Sequence, residues 1–145
     1  MRVVIQRVKQ ASVTIDKKLF SSINMGILVL LCIEKGDSEE SLQWMVNKIV
    51  SLRMFEDENG KMNKSILDIC GEMLIVSQFT LAADCKKGTR PSFDKAEEPA
   101  KAKQLYEQFV MKLQKENINV KTGVFAAMMD VNLCNDGPVT FVIEK

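Results

Sequence analysis

The chain has 145 residues, 46% of them hydrophobic and 27% charged, and its formal net charge is +1. This composition indicates one globular domain spanning 1–145, which is large enough to bury a core without disulfides. The chain has no general excess of positive charge that would indicate binding to nucleic acid. The chain contains no histidine, which excludes Ser-His-Asp and Cys-His catalysis because both need an imidazole base.

The first predicted elements are strands. Residues 2–9 alternate between apolar and polar side chains, and residues 12–16 are predicted to form the neighbouring strand. Residues 26–33 form an unbroken apolar run, which is typical of a buried central strand. No apolar run approaches the roughly 18 residues that cross a bilayer, and no signal peptide is visible. We therefore expect a cytosolic protein with no membrane contact.

A helix is predicted to begin at Asp37, a capping-box residue with Glu40 three positions later. The helix should end near Arg53. Its core-facing stripe consists of apolar residues at helical spacing, namely Leu42, Met45, Val46, Ile49 and Leu52. Residues 54–60, which include Asn59-Gly60, indicate a short strand and a tight turn.

The second half of the chain is predicted to hold one buried strand, a long loop and a second helix. The strand is 72–77, the loop runs from Ala82 to about Glu98, and Pro99 fits the first turn of the helix. The helix presents an apolar face made of Ala102, Leu105, Tyr106, Phe109 and Leu113. Closing strands are predicted at 120–122, 131–134 and 139–144. The prediction is a single α+β domain with a largely antiparallel, barrel-like sheet and two main helices.

The segment Ser77-Gln78-Phe79-Thr80-Leu81 follows the second buried strand. Taken alone it predicts only a strand end that enters a loop. Its functional interpretation is that the main-chain N–H groups of Phe79 and Thr80 stabilise a developing oxyanion. Thr80 as a nucleophile would need a base, and none is visible nearby.

The segment Asn135-Asp136-Gly137-Pro138-Val139-Thr140 precedes the last predicted strand. Gly137-Pro138 alone indicates a turn. A glycine also lets main chain approach a ligand closely, because no Cβ stands in the way.

The loop between these segments carries Lys86, Lys87 and Arg90. They are either solvated surface charges or contacts for nucleic-acid phosphates, which orient such a substrate without selecting its sequence. Cys85 beside them is the only candidate for a reactive thiol, whereas Cys32 is expected in the core. The four cysteines are scattered and no histidine accompanies them, so no metal site is predicted.

The two segments around Ser77 and Gly137 closely resemble the signature motifs of the D-aminoacyl-tRNA deacylases, also called D-tyrosyl-tRNA deacylases. The resemblance extends from Met1-Arg2-Val3-Val4-Ile5-Gln6-Arg7-Val8 to Gly137-Pro138-Val139-Thr140-Phe141. It implies a homodimer that hydrolyses the ester between a D-amino acid, or glycine, and the 3′-terminal adenosine of tRNA. It implies no metal and no organic cofactor.

The resemblance also implies roles for individual residues. Ser77, Gln78, Phe79 and Thr80 would form the floor of the site and its oxyanion donors. Gly137 and Pro138, joined by a cis peptide bond, would enter the partner subunit's active site, bind the amino group and exclude L-side chains.

Further positions match the family one by one. Phe125 and Met129 match residues that line the pocket for the terminal adenosine, Ala102 matches a small helix residue beside that pocket, and Arg7 matches a residue that braces the Gly-Pro loop. The structural alternatives are core positions for the first three and a strand-edge charge for Arg7. Ala82 departs from the family, where an aromatic residue is common.

Two other functions stay open on the sequence. One is a non-catalytic module that binds RNA ends through the same pocket and basic loop. The other is a thiol hydrolase that uses Cys85, although it would lack a histidine partner.

Overall fold

The computed structural model describes residues 1–145. Its elements, in chain order, are β1 (Arg2–Ile15), β2 (Lys18–Ile23), β3 (Gly26–Cys32), α1 (Glu39–Ser51), β4 (Phe55–Glu56), β5 (Met62–Lys64), β6 (Glu72–Ser77), a 3-10 helix (Phe79–Ala82), α2 (Pro99–Gln114), β7 (Asn119–Thr122) and β8 (Asp130–Glu144).

One six-stranded sheet dominates the fold, in the order β2-β1-β3-β6-β7, with β8 on the other side of β1. Strand β1 pairs antiparallel with β2, β3 and β8, whereas the pairs β3–β6 and β6–β7 are parallel. The parallel pairs place the carboxyl ends of β3, β6 and β7 at one edge of the molecule. The sheet almost closes on itself, because Ser21 Oγ on β2 donates a 2.8 Å hydrogen bond to the Thr122 carbonyl of β7.

The core lies on both faces of this sheet. Helices α1 and α2 cover one face, where Phe109 and Met45 are fully buried, and a smaller cluster that includes Val8, Leu28 and Val76 fills the other face. Strands β3 and β6 are buried on both faces. This is why their sequences are continuous apolar runs rather than alternating ones.

The predicted α+β fold with two helices is confirmed, and several boundaries are corrected. Residues 12–16 were predicted to pair with 2–9, but both segments belong to the single strand β1, whose neighbour is β2. Likewise the segments predicted at 131–134 and 139–144 are parts of one strand, β8. The register between β1 and β8 shifts twice near Val8, and such bulges let a strand continue while its side chains change face.

The N-cap of α1 is also one residue later than predicted. Ser38 is the N-cap and forms a capping box with Ser41, so the pair Asp37 and Glu40 does not. The Asp37 carboxylate is buried instead, where it accepts hydrogen bonds from the Glu34 N–H and the Met1 amino group, each 2.7 Å long. Pro99 begins α2 as predicted. No helix is long and apolar enough to span a bilayer.

Candidate active site

The segment Ser77–Ala82, called here the β6 turn, projects from the carboxyl end of β6. It is fixed to the sheet where the Gln78 N–H donates a 2.8 Å hydrogen bond to the Leu31 carbonyl of β3. Ser77 is half-buried, while Phe79 and Thr80 are exposed. The structure therefore presents the first predicted motif on the surface, at the edge where the parallel strands end.

Carbonyl groups of the β6 turn are held by two side chains for which the sequence predicts no role at this site. Arg2 Nη1 donates to the Leu81 carbonyl at 2.7 Å, and the Cys32 thiol donates to the Phe79 carbonyl at 3.5 Å. Burial, with a smaller contribution from the Glu34 charge, raises the pKa of Cys32 to about 11. At neutral pH the thiol therefore stays protonated and can donate. No local sequence signal predicts either contact, because both partners are distant along the chain.

Two amide groups of the turn are, by contrast, free. The N–H groups of Phe79 and Thr80 begin the 3-10 helix and donate to no protein acceptor. Helix geometry leaves the first N–H groups without partners inside the helix. The Gln78 side chain lies nearby and donates to Thr80 Oγ1 at 2.5 Å. Two adjacent N–H groups of exposed residues are thus left without a protein acceptor at the position where the sequence predicts oxyanion donors.

The segment Asn135–Thr140, called here the Gly-Pro segment, lies within β8. The peptide bond between Gly137 and Pro138 is cis, and Gly137 has a φ of +134°, a conformation that glycine adopts without strain. Both residues are exposed. Asn135 holds the segment in shape, since its Oδ1 accepts a 2.8 Å hydrogen bond from the Val139 N–H. The Asn-x-Gly pattern carries a turn signal, because asparagine side chains bond to nearby backbone.

Arg7 is buried against the Gly-Pro segment. Its Nε donates to the Asp136 carbonyl at 2.9 Å, and its Nη1 donates to the Met54 carbonyl at 2.8 Å. Only 6% of the residue is exposed. A strand-edge charge would instead be solvated, so the structure favours the bracing contact that the resemblance implies.

The two motifs do not meet within one chain. Ser77 pairs with Leu31, which pairs with Val3 of β1, whereas Arg7 lies four residues further along β1. Four residues of extended strand span about 13 Å. Strands β3 and β1 also separate β6 from β8. The β6 turn and the Gly-Pro segment therefore occupy different ends of the sheet.

The predicted adenosine-pocket residues lie at the same edge as the β6 turn. The Gly123 N–H bonds to the Ile75 carbonyl at 3.0 Å, which places the segment after β7 beside the end of β6. Phe125 is half-buried, with its ring 5.7 Å from that of Tyr106, and the Val124 N–H lies 3.3 Å from the Met129 sulfur.

Phe125 and Met129 pack against opposite faces of the sheet, and Ala102 on α2 is half-buried on the helix side together with Phe125. A cavity of about 420 Å³ lies between α2 and residues 122–125. The Tyr106 hydroxyl, whose pKa is raised by burial, donates to the Ile75 carbonyl at 2.9 Å and fixes α2 at this edge.

Residues 84–92 form a small exposed loop, called here the basic hairpin. Asp84 and Ser92 close it with two backbone hydrogen bonds of 2.8 and 3.0 Å, and Gly88 turns it with a φ of +67°. The side chains it carries are Cys85, Lys86, Lys87 and Arg90, all exposed. None of its three cations forms an ion pair. Of the two cysteines considered in the sequence, Cys85 is exposed on this hairpin, whereas Cys32 is buried in the core as predicted.

Comparison with known proteins places both motifs, the predicted pocket residues and the basic hairpin inside one family match. A model of the D-Tyr-tRNA(Tyr) deacylase family matches residues 4–144. A D-aminoacyl-tRNA deacylase of Aquifex aeolicus is 57% identical over 145 residues, covering 100% of this chain and 98% of its own.

Two solved structures share the fold. One, described as a c-Myc DNA unwinding element binding protein, is 44% identical with a TM-score of 0.95 and covers 100% of this chain and 99% of its own. The other, described as a probable eukaryotic D-amino acid tRNA deacylase, has a TM-score of 0.85 at 17% identity and covers 98% of this chain and 97% of its own.

Proposed function

The chain belongs to the D-Tyr-tRNA(Tyr) deacylase family, and from that premise we propose that it hydrolyses the ester bond of D-aminoacyl-tRNA, releasing tRNA and a D-amino acid. The observation that carries this proposal is the 57% identity, over the full length, to a protein named as a D-aminoacyl-tRNA deacylase. From this reaction we infer that the protein acts in the cytoplasm, where aminoacyl-tRNA is used. Loss of ester from D-Tyr-tRNA, with L-Tyr-tRNA spared, is the expected result of incubation with the purified protein. Binding of both without turnover would favour the non-catalytic RNA-end module.

The chemistry is assigned to main chain. The free N–H groups of Phe79 and Thr80 receive the negative charge that develops on the ester carbonyl as water attacks. Ser77 and Gln78 form the floor beneath them. An aminoacyl ester is already activated, and a fixed pair of donors needs no histidine to lower its barrier.

One substitution can remove a main-chain donor. Proline at position 79 lacks the N–H and is tolerated at the first residue of a helix. Phe79→Ala is the matched control, because it removes the ring and keeps the N–H. We expect kcat of Phe79→Pro to fall about 10²–10³-fold below that of Phe79→Ala, the loss typical of one oxyanion donor. Equal kcat values in two folded variants would show that this N–H does not stabilise the transition state.

The active site is completed by a second copy of the chain. The Gly-Pro segment lies too far from the β6 turn of its own chain to contact the same substrate, as the pairing along β1 indicates. One edge of β8 also has no strand beside it. In a homodimer, Gly137 and Pro138 of one subunit line the site of the other. Light scattering should give twice the 16.4 kDa mass of one chain.

The Gly-Pro segment acts as a filter for chirality. Rigid backbone carbonyls bind the substrate amino group and leave space for hydrogen but not for an L-side chain, so specificity arises by exclusion. Glycyl-tRNA, which has no side chain to exclude, passes the same filter. Arg7 holds the segment through its bonds to Asp136 and Met54.

The 3′ end of the tRNA lies along the edge where β6 and β7 end. Phe125 and Ala102, which share the helix side of the sheet, line the pocket for the terminal adenosine, and Met129 borders the same edge from the other face. The proximity of Gly123 to Ile75 supports this placement. Lys86, Lys87 and Arg90 of the basic hairpin contact phosphates, as expected for exposed cations without ion-pair partners.

A further inference from the structure

An exposed pair of aromatic rings stands at the base of the basic hairpin. The rings of Phe79 and Phe93 meet edge to face with their centroids 5.1 Å apart and an interplanar angle of 60°. Phe79 is 58% exposed and Phe93 is 38% exposed. A large apolar side chain that is left this open is not serving the core of this chain.

The pair lies between two features already assigned to the substrate. The N–H of Phe79 belongs to the proposed oxyanion donors, so the ester lies within a few ångströms of the pair. Phe93 directly follows Ser92, which closes the basic hairpin. The two rings therefore adjoin both the proposed ester position and the base of the hairpin, where a strand that runs from the ester toward the cations can contact them.

We propose that Phe93, together with the Phe79 ring, is a stacking platform for the unpaired nucleotide that precedes the terminal adenosine of the RNA. This inference rests on the proposed function and adds to it the recognition of a second nucleotide. Single-stranded nucleic acids are bound by the same combination of aromatic faces for bases and cations for phosphates. Such stacking is tolerant of base identity, which suits a protein that acts on tRNAs sharing one 3′ sequence.

The test compares a long substrate with a short one. D-Tyr-tRNA carries the preceding nucleotide, and D-tyrosyl-adenosine does not. Stacking of one base is worth about 1–3 kcal/mol, which corresponds to roughly 5- to 150-fold. We expect Phe93→Ala to lower the ratio of kcat/KM for D-Tyr-tRNA over that for D-tyrosyl-adenosine by this factor, mainly through KM. Phe93→Trp should restore the ratio.

Trp44→Ala is the control variant, because Trp44 is a comparable aromatic residue, 37% exposed, on α1. Its ratio should equal that of the wild type. A Phe93→Ala ratio equal to the wild-type value would overturn the platform. So would a Phe93→Ala protein that becomes monomeric, since the ring would then be a subunit contact.

A measurement of RNA binding tests the stacking platform independently of catalysis. The probe is an uncharged RNA hairpin with a single-stranded CCA end, compared with the same RNA lacking the base of the second-last nucleotide. Removal of that base should weaken binding to the wild type about fivefold or more and should not weaken binding to Phe93→Ala. Equal losses for both proteins would reject the platform even if hydrolysis were observed. Failure of the wild type to hydrolyse either ester would reject the proposed function and leave this comparison valid.

Discussion

At the residue scale, two side chains hold carbonyl groups of the β6 turn, and two of its amides are left without a protein acceptor. Arg2 and Cys32 donate to the carbonyls of Leu81 and Phe79, and the N–H groups of Phe79 and Thr80 stay available. A donor pair that is fixed before substrate arrives needs no reorganisation during the reaction. The hydroxyl groups of Ser77 and Thr80, by contrast, have no base beside them that could activate them.

This arrangement predicts that the hydroxyls are dispensable. The Ser77 hydroxyl forms no hydrogen bond, and Thr80 Oγ1 accepts one only from Gln78. Ser77→Ala and Thr80→Ala should each keep kcat/KM within about tenfold of the wild type, or about 1.4 kcal/mol of barrier. The measurement is single-turnover deacylation of D-Tyr-tRNA. Complete loss in a folded Thr80→Ala protein that still binds tRNA would instead indicate covalent catalysis by this hydroxyl.

Because the pKa of Cys32 is raised in the folded state, we expect the protein to lose stability at alkaline pH. The folded pKa of Cys32, about 11, lies above the ordinary thiol value of 9.0, so the folded state holds the thiol proton more tightly than the unfolded state. The stabilisation is complete below pH 9 and declines as the pH rises from about 9 to about 11.

The check is urea unfolding at several pH values across this window. Between about pH 9 and about pH 11, the free energy of unfolding should fall less for Cys32→Ala than for the wild type. Parallel declines in both proteins would mean that the thiol does not titrate on unfolding in this window.

At the element scale, predictability follows burial and sequence separation. Strands β3 and β6 were located correctly because burial on both faces makes their sequences continuously apolar. The continuity of β1 and β8 was missed because it depends on bulges between strands more than 100 residues apart. The hydrogen bond from Arg2 to the Leu81 carbonyl was missed for the same reason, since the two residues are 79 positions apart in the sequence.

The Gly-Pro segment carries the sharpest prediction at this scale. A Cβ on Gly137 would lie 2.7 Å from Val139 Cγ2 and 3.1 Å from Arg7 Nη2, in a backbone conformation with φ +134° that L-residues rarely adopt. Gly137→Ala must therefore displace the segment or its brace. We expect a folded dimer whose D-Tyr-tRNA hydrolysis, or whose preference for D over L, falls at least about tenfold, about 1.4 kcal/mol.

Gly60→Ala is the matched control for this variant. Gly60 also has a positive φ, +72°, but a Cβ there meets nothing within 4 Å. The paired assay uses D- and L-Tyr-tRNA, with mass determined on the same samples. A Gly137→Ala protein as active and as selective as Gly60→Ala would make the segment an ordinary turn.

At the scale of the whole molecule, the net charge of +1 hides a local concentration of cations on the basic hairpin. Affinity for tRNA should therefore be modest and depend on salt. Replacing Lys86 and Lys87 by glutamine should reduce the slope of log K against log salt by up to about 1.4–1.8, or two phosphate contacts.

Lys17 and Lys18 provide the matched control, because they are also two adjacent exposed lysines, at the turn between β1 and β2. Their replacement should leave the slope as it is. The hairpin variant should weaken D- and L-substrates alike. An unchanged slope for the hairpin variant would place the RNA-binding surface elsewhere on the protein.

The separation of the β6 turn from the Gly-Pro segment has a genetic consequence. Each active site of the proposed dimer combines the β6 turn of one subunit with the Gly-Pro segment of the other. A defect in one of these two segments can therefore be compensated when the subunit is paired with one that is defective only in the other segment. A heterodimer of a Phe79→Pro subunit and a Gly137→Ala subunit contains one doubly defective site and one intact site. Random co-assembly makes half of the dimers mixed and restores about a quarter of wild-type activity. Two defective alleles would thus complement each other, whereas sites contained within single subunits would remain defective in every combination.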